Sequence, residues 1–231
     1  AIVGAVPMVV EKIIRKKVFP KIQNKATRML LLMPMVNKKV KEKIRAMVME
    51  VFGGNAYEVM TGGAALNKEI EDFLTGIDFP IISGYGATET GPMITYSDYK
   101  DFCPGSCGTP VVNMEVKIAS PDPAGIPGEI LARGENVMLG YYKNAEATEA
   151  VLDADGWYHT GDLATMSENG HVFIRGRIKN MLLGANGQNV YPEEIEDRLN
   201  SMTMVSESVI IQRGNELVGL VYPEMEEAKE M

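Results

Sequence analysis

The 231 residues predict a mixed α/β fold, on three observations. Apolar residues recur at helical spacing through the first fifty positions, and the stretch from Tyr57 to Ser83 alternates strand, helix and strand. Beyond Gly91 the chain breaks into short apolar segments between turns, the texture of a β-rich subdomain.

In order, Val9, Val10, Ile13, Ile14 and Val18 form one helical stripe, and Val40, Ile44, Met47, Val48 and Val51 another. Pro20 and Pro34 are expected to punctuate these helices. Tyr57–Met60 reads as a strand, Gly62-Gly63 as a turn, Asn67–Leu74 as a helix capped by Asn67, and Pro80–Ser83 as a second strand. Strands follow at Glu115–Ala119, Gly128–Ala132, Trp157–Met166 and His171–Arg175, with turns at Pro121–Gly125 and Glu168–Gly170. A short helix is expected at Ala145–Leu152, a strand at Asn180–Leu183 and a glycine-containing loop at Gly184–Gly187. Pro192 opens a helix through Leu199 whose first turns carry Glu193, Glu194 and Glu196, favourable against the helix dipole. Val205–Gln212 and Leu217–Tyr222 pattern as a hairpin.

Composition is ordinary, with 45% hydrophobic and 23% charged residues, which excludes collagen-like, disulfide-scaffold and intrinsically disordered chains. Charge is uneven. Residues 1–50 hold twelve Lys and Arg against three acids, while the rest hold eleven against twenty-eight. The basic part could meet an anionic surface or be a solvated helix face; around Ile13–Val18 and Leu30–Leu32 it raises peripheral membrane contact. Nucleic-acid binding is not expected, since the segment lacks an aromatic stacking set and the remainder is acidic. No apolar run reaches the roughly 18–20 residues of a membrane span, and Met29–Val36 is interrupted by Pro34. No secretory signal opens the chain, so a reducing, cytoplasmic setting is expected. Cys103 and Cys107 flank a Pro104-Gly105 turn; with two distant histidines they do not make a zinc set.

Neither a G-x-x-x-x-G-K-[ST] loop nor a G-x-G-x-x-G helix opening is present. Three other segments carry chemistry. In Ser83-Gly84-Tyr85-Gly86-Ala87-Thr88-Glu89-Thr90-Gly91, two glycines admit close backbone approach to a ligand and the tyrosine offers a flat face. Thr88 and Glu89 set a hydroxyl beside a carboxylate, a pairing suited to a phosphate oxygen and its Mg²⁺; it is equally the chemistry of a strand-to-helix turn. In Gly156–Asp162, the Asp162 carboxylate after a glycine suits the two hydroxyls of a ribose, or a turn aspartate capping amides. In Arg175-Gly176-Arg177, arginine forks suit phosphate or ribose oxygens, or are a solvated basic turn.

Gly62-Gly63-Ala64-Ala65-Leu66, Gly84–Thr90, Gly128-Glu129-Ile130 with Gly140–Asn144, Tyr158–Asp162 and Gly176–Asn180 stand in one order. In that order they resemble the adenylate-forming superfamily of acyl-CoA synthetases, peptide-synthetase adenylation domains and luciferases. Within it the chain most resembles a long-chain fatty acid CoA ligase. The subfamily cues are the Val6-Pro7 to Ile14 helix ahead of Phe52-Gly53-Gly54, and the run Gly187–Glu196.

The resemblance implies residues 1–178 as the C-terminal portion of a large AMP-binding domain and 179–231 as the start of a small, truncated α+β domain. It implies that a fatty acid, ATP and coenzyme A react through an acyl adenylate with Mg²⁺. By motif, Thr88 contacts phosphate, Glu89 holds Mg²⁺, and Tyr85, between Gly84 and Gly86, stacks on adenine. The backbone of Gly63, Ala64 and Ala65 lines the base pocket, and Asp162 takes the ribose hydroxyls assisted by Arg177. Asn180 falls at the hinge, where the family commonly has Asp or Lys, and Gly187, Gln188 and Asn189 border the coenzyme A tunnel. The family's phosphate loop and late lysine would fall outside residues 1–231, so an inactive fragment is expected. The alternative is a non-catalytic nucleotide- or partner-binding module of the same fold.

Overall fold

The computed structural model describes residues 1–22, 34–184, 188–200, 202, 204–214 and 216–224, with side chains 34–37 set aside. Gly187 and the Leu30–Leu32 segment lie outside the described residues. The chain divides into two compact units: residues 1–86 with 95–108, and residues 87–94 with 109–231.

The first unit opens with a strand the sequence did not announce, β1 (Ile2–Ala5). Helix α1 (Pro7–Ile13) follows with Pro7 in its first turn, where the missing N–H costs no intrahelical bond. The chain continues through a π-wound turn, Ile14–Val18, into α2 (Phe19–Ile22). Pro20, expected to end the helix, therefore lies inside it, directly after the wider turn. Val10, Ile14 and Val18 are fully buried while Val9 is exposed, so the buried stripe is narrower than its sequence pattern. Helix α3 (Pro34–Val51) contributes Ile44 and Val48 to the same core.

Strand β2 (Glu58–Thr61), helix α4 (Lys68–Gly76) and β3 (Ile81–Ser83) form the expected strand, helix, strand unit. All three strands are parallel in the order β1-β2-β3, with Val59 against both Val3 and Ile81. Asn67 caps α4 as expected, its Oδ1 accepting from the backbone N of Glu69 at 3.1 Å and of Ile70 at 3.4 Å. Two carboxylates are buried here. Glu58 accepts from the Tyr96 hydroxyl at 2.6 Å, which pushes that phenol up to about 12. Glu71, on α4, accepts from Gly105 N at 3.1 Å, and burial raises its pKa against that hydrogen bond.

Two short strands follow in sequence, β4 (Tyr85–Gly86) and β5 (Met93–Tyr96); β5 was not foreseen. The second unit holds β6 (Thr109–Pro110) and an antiparallel sheet of β7 (Met114–Ala119), β8 (Gly128–Gly134), β9 (Tyr158–Met166) and β10 (Val172–Arg177), ordered β10-β9-β8-β7. Its core is Ile118, Ile130, Ala132, Ala164 and Val172. On this sheet the indole of Trp157 meets two cations, Lys117 Nζ at 3.9 Å and Arg133 Cζ at 4.5 Å from the ring centre. Arg133 also pairs with both oxygens of Glu115, at 3.1 and 2.8 Å.

A short helix α5 (Ala145–Glu149) lies between β8 and β9 in sequence. After β10, residues 178–180 form a 3-10 turn rather than the expected strand, which shrinks to β11 (Leu182–Leu183) pairing β12 (Asn189–Val190). Helix α6 (Pro192–Asn200) and the antiparallel hairpin β13 (Val205–Arg213) and β14 (Glu216–Pro223) complete the unit. Among the described residues no helix is long and apolar enough to cross a membrane.

Glu71 gives the first unit a signed pH dependence. Its folded pKa lies above the ordinary 4.5, so the unfolded chain releases this proton first and stability falls as pH rises through that window. Glu71→Gln keeps the acceptor for Gly105 N and removes the charge. Urea unfolding should show the variant gaining on wild type between pH 4 and pH 7; a constant difference would refute the assignment.

Candidate functional site

In the first unit, the candidate residues gather at the carboxyl ends of parallel strands, where open α/β sheets place ligands. Gly84 N donates to Thr61 O at 2.8 Å, and a Cβ on Gly62 would stand 3.3 Å from Gly84 O. The two glycine segments therefore run against one another, and a side chain at residue 62 would press on the Gly84 carbonyl. Gly63 turns the chain at φ +82°, and Gly63, Ala64 and Ala65 are exposed. Thr61 Oγ1 donates to Ile82 O at 3.0 Å and lies 3.1 Å from Ser83 Oγ. Tyr85 is half-buried and Gly86 exposed.

In the second unit, Thr88–Thr90 forms one 3-10 turn. The buried Thr90 organises it, since its Oγ1 accepts from Ala87 N at 3.2 Å and lies 3.0 Å from the Ala87 and Pro92 carbonyls. Asn136 Nδ2 donates to Thr90 O at 2.6 Å and to Met93 O at 2.9 Å. With its neighbours so anchored, Thr88 is exposed, and its hydroxyl makes no hydrogen bond among the described residues. Glu89 is held twice, by Met138 N donating to its carbonyl at 2.7 Å and by the Tyr141 hydroxyl donating to Oε1 at 2.8 Å. The second bond raises the Tyr141 pKa, because the carboxylate favours the protonated phenol.

Asp162 and Arg177 are cross-strand partners on β9 and β10, with Arg177 Nε 2.6 Å from Asp162 Oδ1. The Asp162 side chain is 15% exposed and the Arg177 side chain 61%, so the acid is set in and the guanidinium lies over the rim. Tyr158, nearly buried, joins the two clusters. Its pKa is raised first by burial and then by the charges of Glu89 and Asp162, with Arg177 opposing. Glu89, Tyr141, Tyr158, Asp162 and Arg177 thus form one electrostatic neighbourhood. The two tyrosines belong to the motifs, but nothing in the sequence pairs Tyr141 with an acid fifty-two positions away.

Asn180 sits in the 3-10 turn with Nδ2 donating to Glu193 Oε1 at 2.7 Å. Gly176, at φ +151°, makes room for the same carboxylate, since a Cβ there would meet Glu193 Oε2 at 2.6 Å. Gln188 and Asn189 are exposed on the β11–β12 pair, with Gly184 N donating to Gln188 O at 2.8 Å. Among the described residues no group of three or more His, Cys, Asp or Glu could hold a metal by itself. Glu89 fits Mg²⁺ only as one carboxylate beside substrate phosphates, the usual Mg²⁺ arrangement.

A family model described as AMP-binding enzyme matches residues 1–142. The chain is 39% identical over 174 residues to 4-coumarate–CoA ligase 1 of Glycine max, covering 70% of this chain and 59% of that protein. It is 34% identical over 180 residues to long-chain-fatty-acid–CoA ligase FadD15 of Mycobacterium bovis, covering 78% of this chain and 28% of that one. Of solved structures, ATP-bound MatB from Rhodopseudomonas palustris superposes with a TM-score of 0.71 at 26% identity, over 97% of this chain and 41% of that one. MenE from Bacillus subtilis, with ATP and magnesium, shares the fold at a TM-score of 0.72 and 22% identity, over 97% and 42% of the two chains. This chain therefore covers less than two thirds of each of these relatives, from 28% to 59% of their length. With a mixed α/β fold and a family model matching residues 1–142, the chain belongs to the AMP-binding enzyme family.

Proposed function

We propose that the chain is part of an enzyme that joins a carboxylic acid to ATP, releases pyrophosphate and passes the acyl group to the thiol of coenzyme A. The observation that carries this reading is the recessed Asp162 carboxylate, held by Arg177 in the electrostatic neighbourhood of Glu89. Asp162 accepts the two ribose hydroxyls of the nucleotide, and Arg177 orients it through the 2.6 Å contact to Oδ1. Thr88 offers its hydroxyl to the phosphate, while Tyr141 fixes the Glu89 carboxylate. Mg²⁺, held by Glu89 together with the phosphates, neutralises charge on them when bound. In the first unit, the Tyr85 ring meets adenine, and the exposed backbone of Gly63, Ala64 and Ala65 lines the base.

The acid we propose is a fatty acid, supported by the likeness to FadD15, which stands beside an equal likeness to 4-coumarate ligases. Coenzyme A passes beside Gln188 and Asn189, and Gly187 is assigned to the same tunnel border by its motif alone. A hinge at Asn180 joins 1–178 to 179–231, and the 231 residues by themselves do not turn over, a point that pyrophosphate release from ATP and a fatty acid would overturn. The enzyme works in the cytoplasm.

Calorimetric titration of this chain with AMP and with Mg-ATP tests the nucleotide reading. Asp162→Ala should weaken AMP binding about tenfold or more, the loss of hydrogen bonds to a charged acceptor; equal affinity in the two proteins would overturn the ribose role. The hinge reading has its own test. Asn180→Asp sets a second carboxylate against Glu193, where the native amide donates at 2.7 Å. Hydrogen exchange of the Met181 amide, which closes the turn onto Arg177 O and Ile178 O, should then quicken severalfold, whereas an unchanged rate would remove the Asn180–Glu193 bond as a restraint on that turn.

A further inference from the structure

The β8–β9 ladder pairs Gly128 with Ala164 and Glu129 with Leu163, then resumes at Leu131 with His159. Residues 160–162 of β9 therefore face Ile130 alone, and at such a bulge backbone donors lose their strand partners. A half-buried N–H must find another acceptor. Asp162 N donates to Thr160 Oγ1 at 3.1 Å, and that hydroxyl donates in turn to Ile130 O at 2.9 Å, so Thr160 is fully engaged. Gly161 N donates to Glu129 Oε1 at 3.0 Å.

Glu129 is itself held. Its Oε2 lies 3.0 Å from His159 Nδ1, and His159 Nε2 lies 3.7 Å from Asp153 Oδ2. The Glu129 side chain is 21% exposed, so little water competes for the contact. Gly161 is at φ +71°, a conformation in which the next peptide is turned sharply and its side chain re-aimed.

We propose that Glu129 is a positioning residue for Asp162: by capping Gly161 N it fixes the peptide that aims the Asp162 carboxylate at Arg177 and at the ribose hydroxyls, while His159 holds its second oxygen. The inference rests on the ribose role of Asp162 proposed above. Glu129 touches no substrate; it acts through the bulge.

Two readouts on the full chain test it. The first is hydrogen exchange of the Gly161 amide by NMR, which needs no nucleotide. Glu129→Ala should quicken it about tenfold, and Glu129→Gln, whose Oε1 still accepts, should leave it near wild type. The second is the preference for AMP over 2′-deoxy-AMP, which a merely structural stabilising role leaves intact in any folded variant. Glu129→Ala should reduce that preference to the level of Asp162→Ala, and Glu129→Gln should restore it. Unchanged Gly161 exchange in Glu129→Ala overturns the proposal, as does an intact preference in that variant when Asp162→Ala has lost it. A wild-type chain with no preference counts against the ribose role, and Gly161 exchange then decides on the cap alone. If Glu129→Ala does not fold, Glu129→Asp, one methylene too short to reach Gly161 N, is measured in its place.

Discussion

The second unit depends on strand β9 being out of step with both of its neighbours. Against β10 the register runs Val172 with Met166 through Ile174 with Ala164, and then shifts by one residue at Arg175. Carried on without that shift, Gly176 would stand opposite Asp162 and the arginine would point to the other face, because strand side chains alternate. The extra residue brings Arg177 opposite Asp162 instead. On the other side, residues 160–162 bow away from Ile130. Two departures from regular pairing thus flank Asp162: the shift against β10 sets Arg177 opposite it, and the one against β8 is met by the Glu129 and Thr160 side chains.

The first unit solves a different problem. Its parallel strands are short, β2 and β3 are largely buried, and the carboxyl ends of these two bring two loops together. Gly62 against Gly84 does this by omission, while the Thr61 hydroxyl ties β2 to the Ile82 carbonyl of β3. Burying Glu58 and Glu71 in this unit costs desolvation, and each is met by a specific donor, a phenol or a backbone amide.

Much of this was legible in the sequence, and for identifiable reasons. Local signals such as the Asn67 cap, the turn at Gly170 and Pro192 at a helix start act within four residues, so sequence spacing finds them. Strand β1 was hidden because four small and apolar residues carry no alternation that distinguishes them from the helix behind. The strand read at Asn180–Leu183 loses its first residue, because Asn180 is drawn to Glu193 on α6 and closes a 3-10 turn with Ile178 and Lys179. At the site, residue types were legible and pairings were not. Asp162 and Arg177 suit a ribose by chemistry, but that they face one another follows from the Arg175 shift, which no period in the sequence encodes. Tyr141 on Glu89, likewise, is a tertiary contact.

The setting of Trp157 has a practical side. It is the chain's sole tryptophan, and its ring meets Lys117 and Arg133 on the second unit's sheet. Indole emission therefore reports on one half of the molecule and is blind to the other. Melting followed by fluorescence and melting followed by circular dichroism are measurements of different bodies, and a gap between their midpoints gauges directly how independently the two halves come apart.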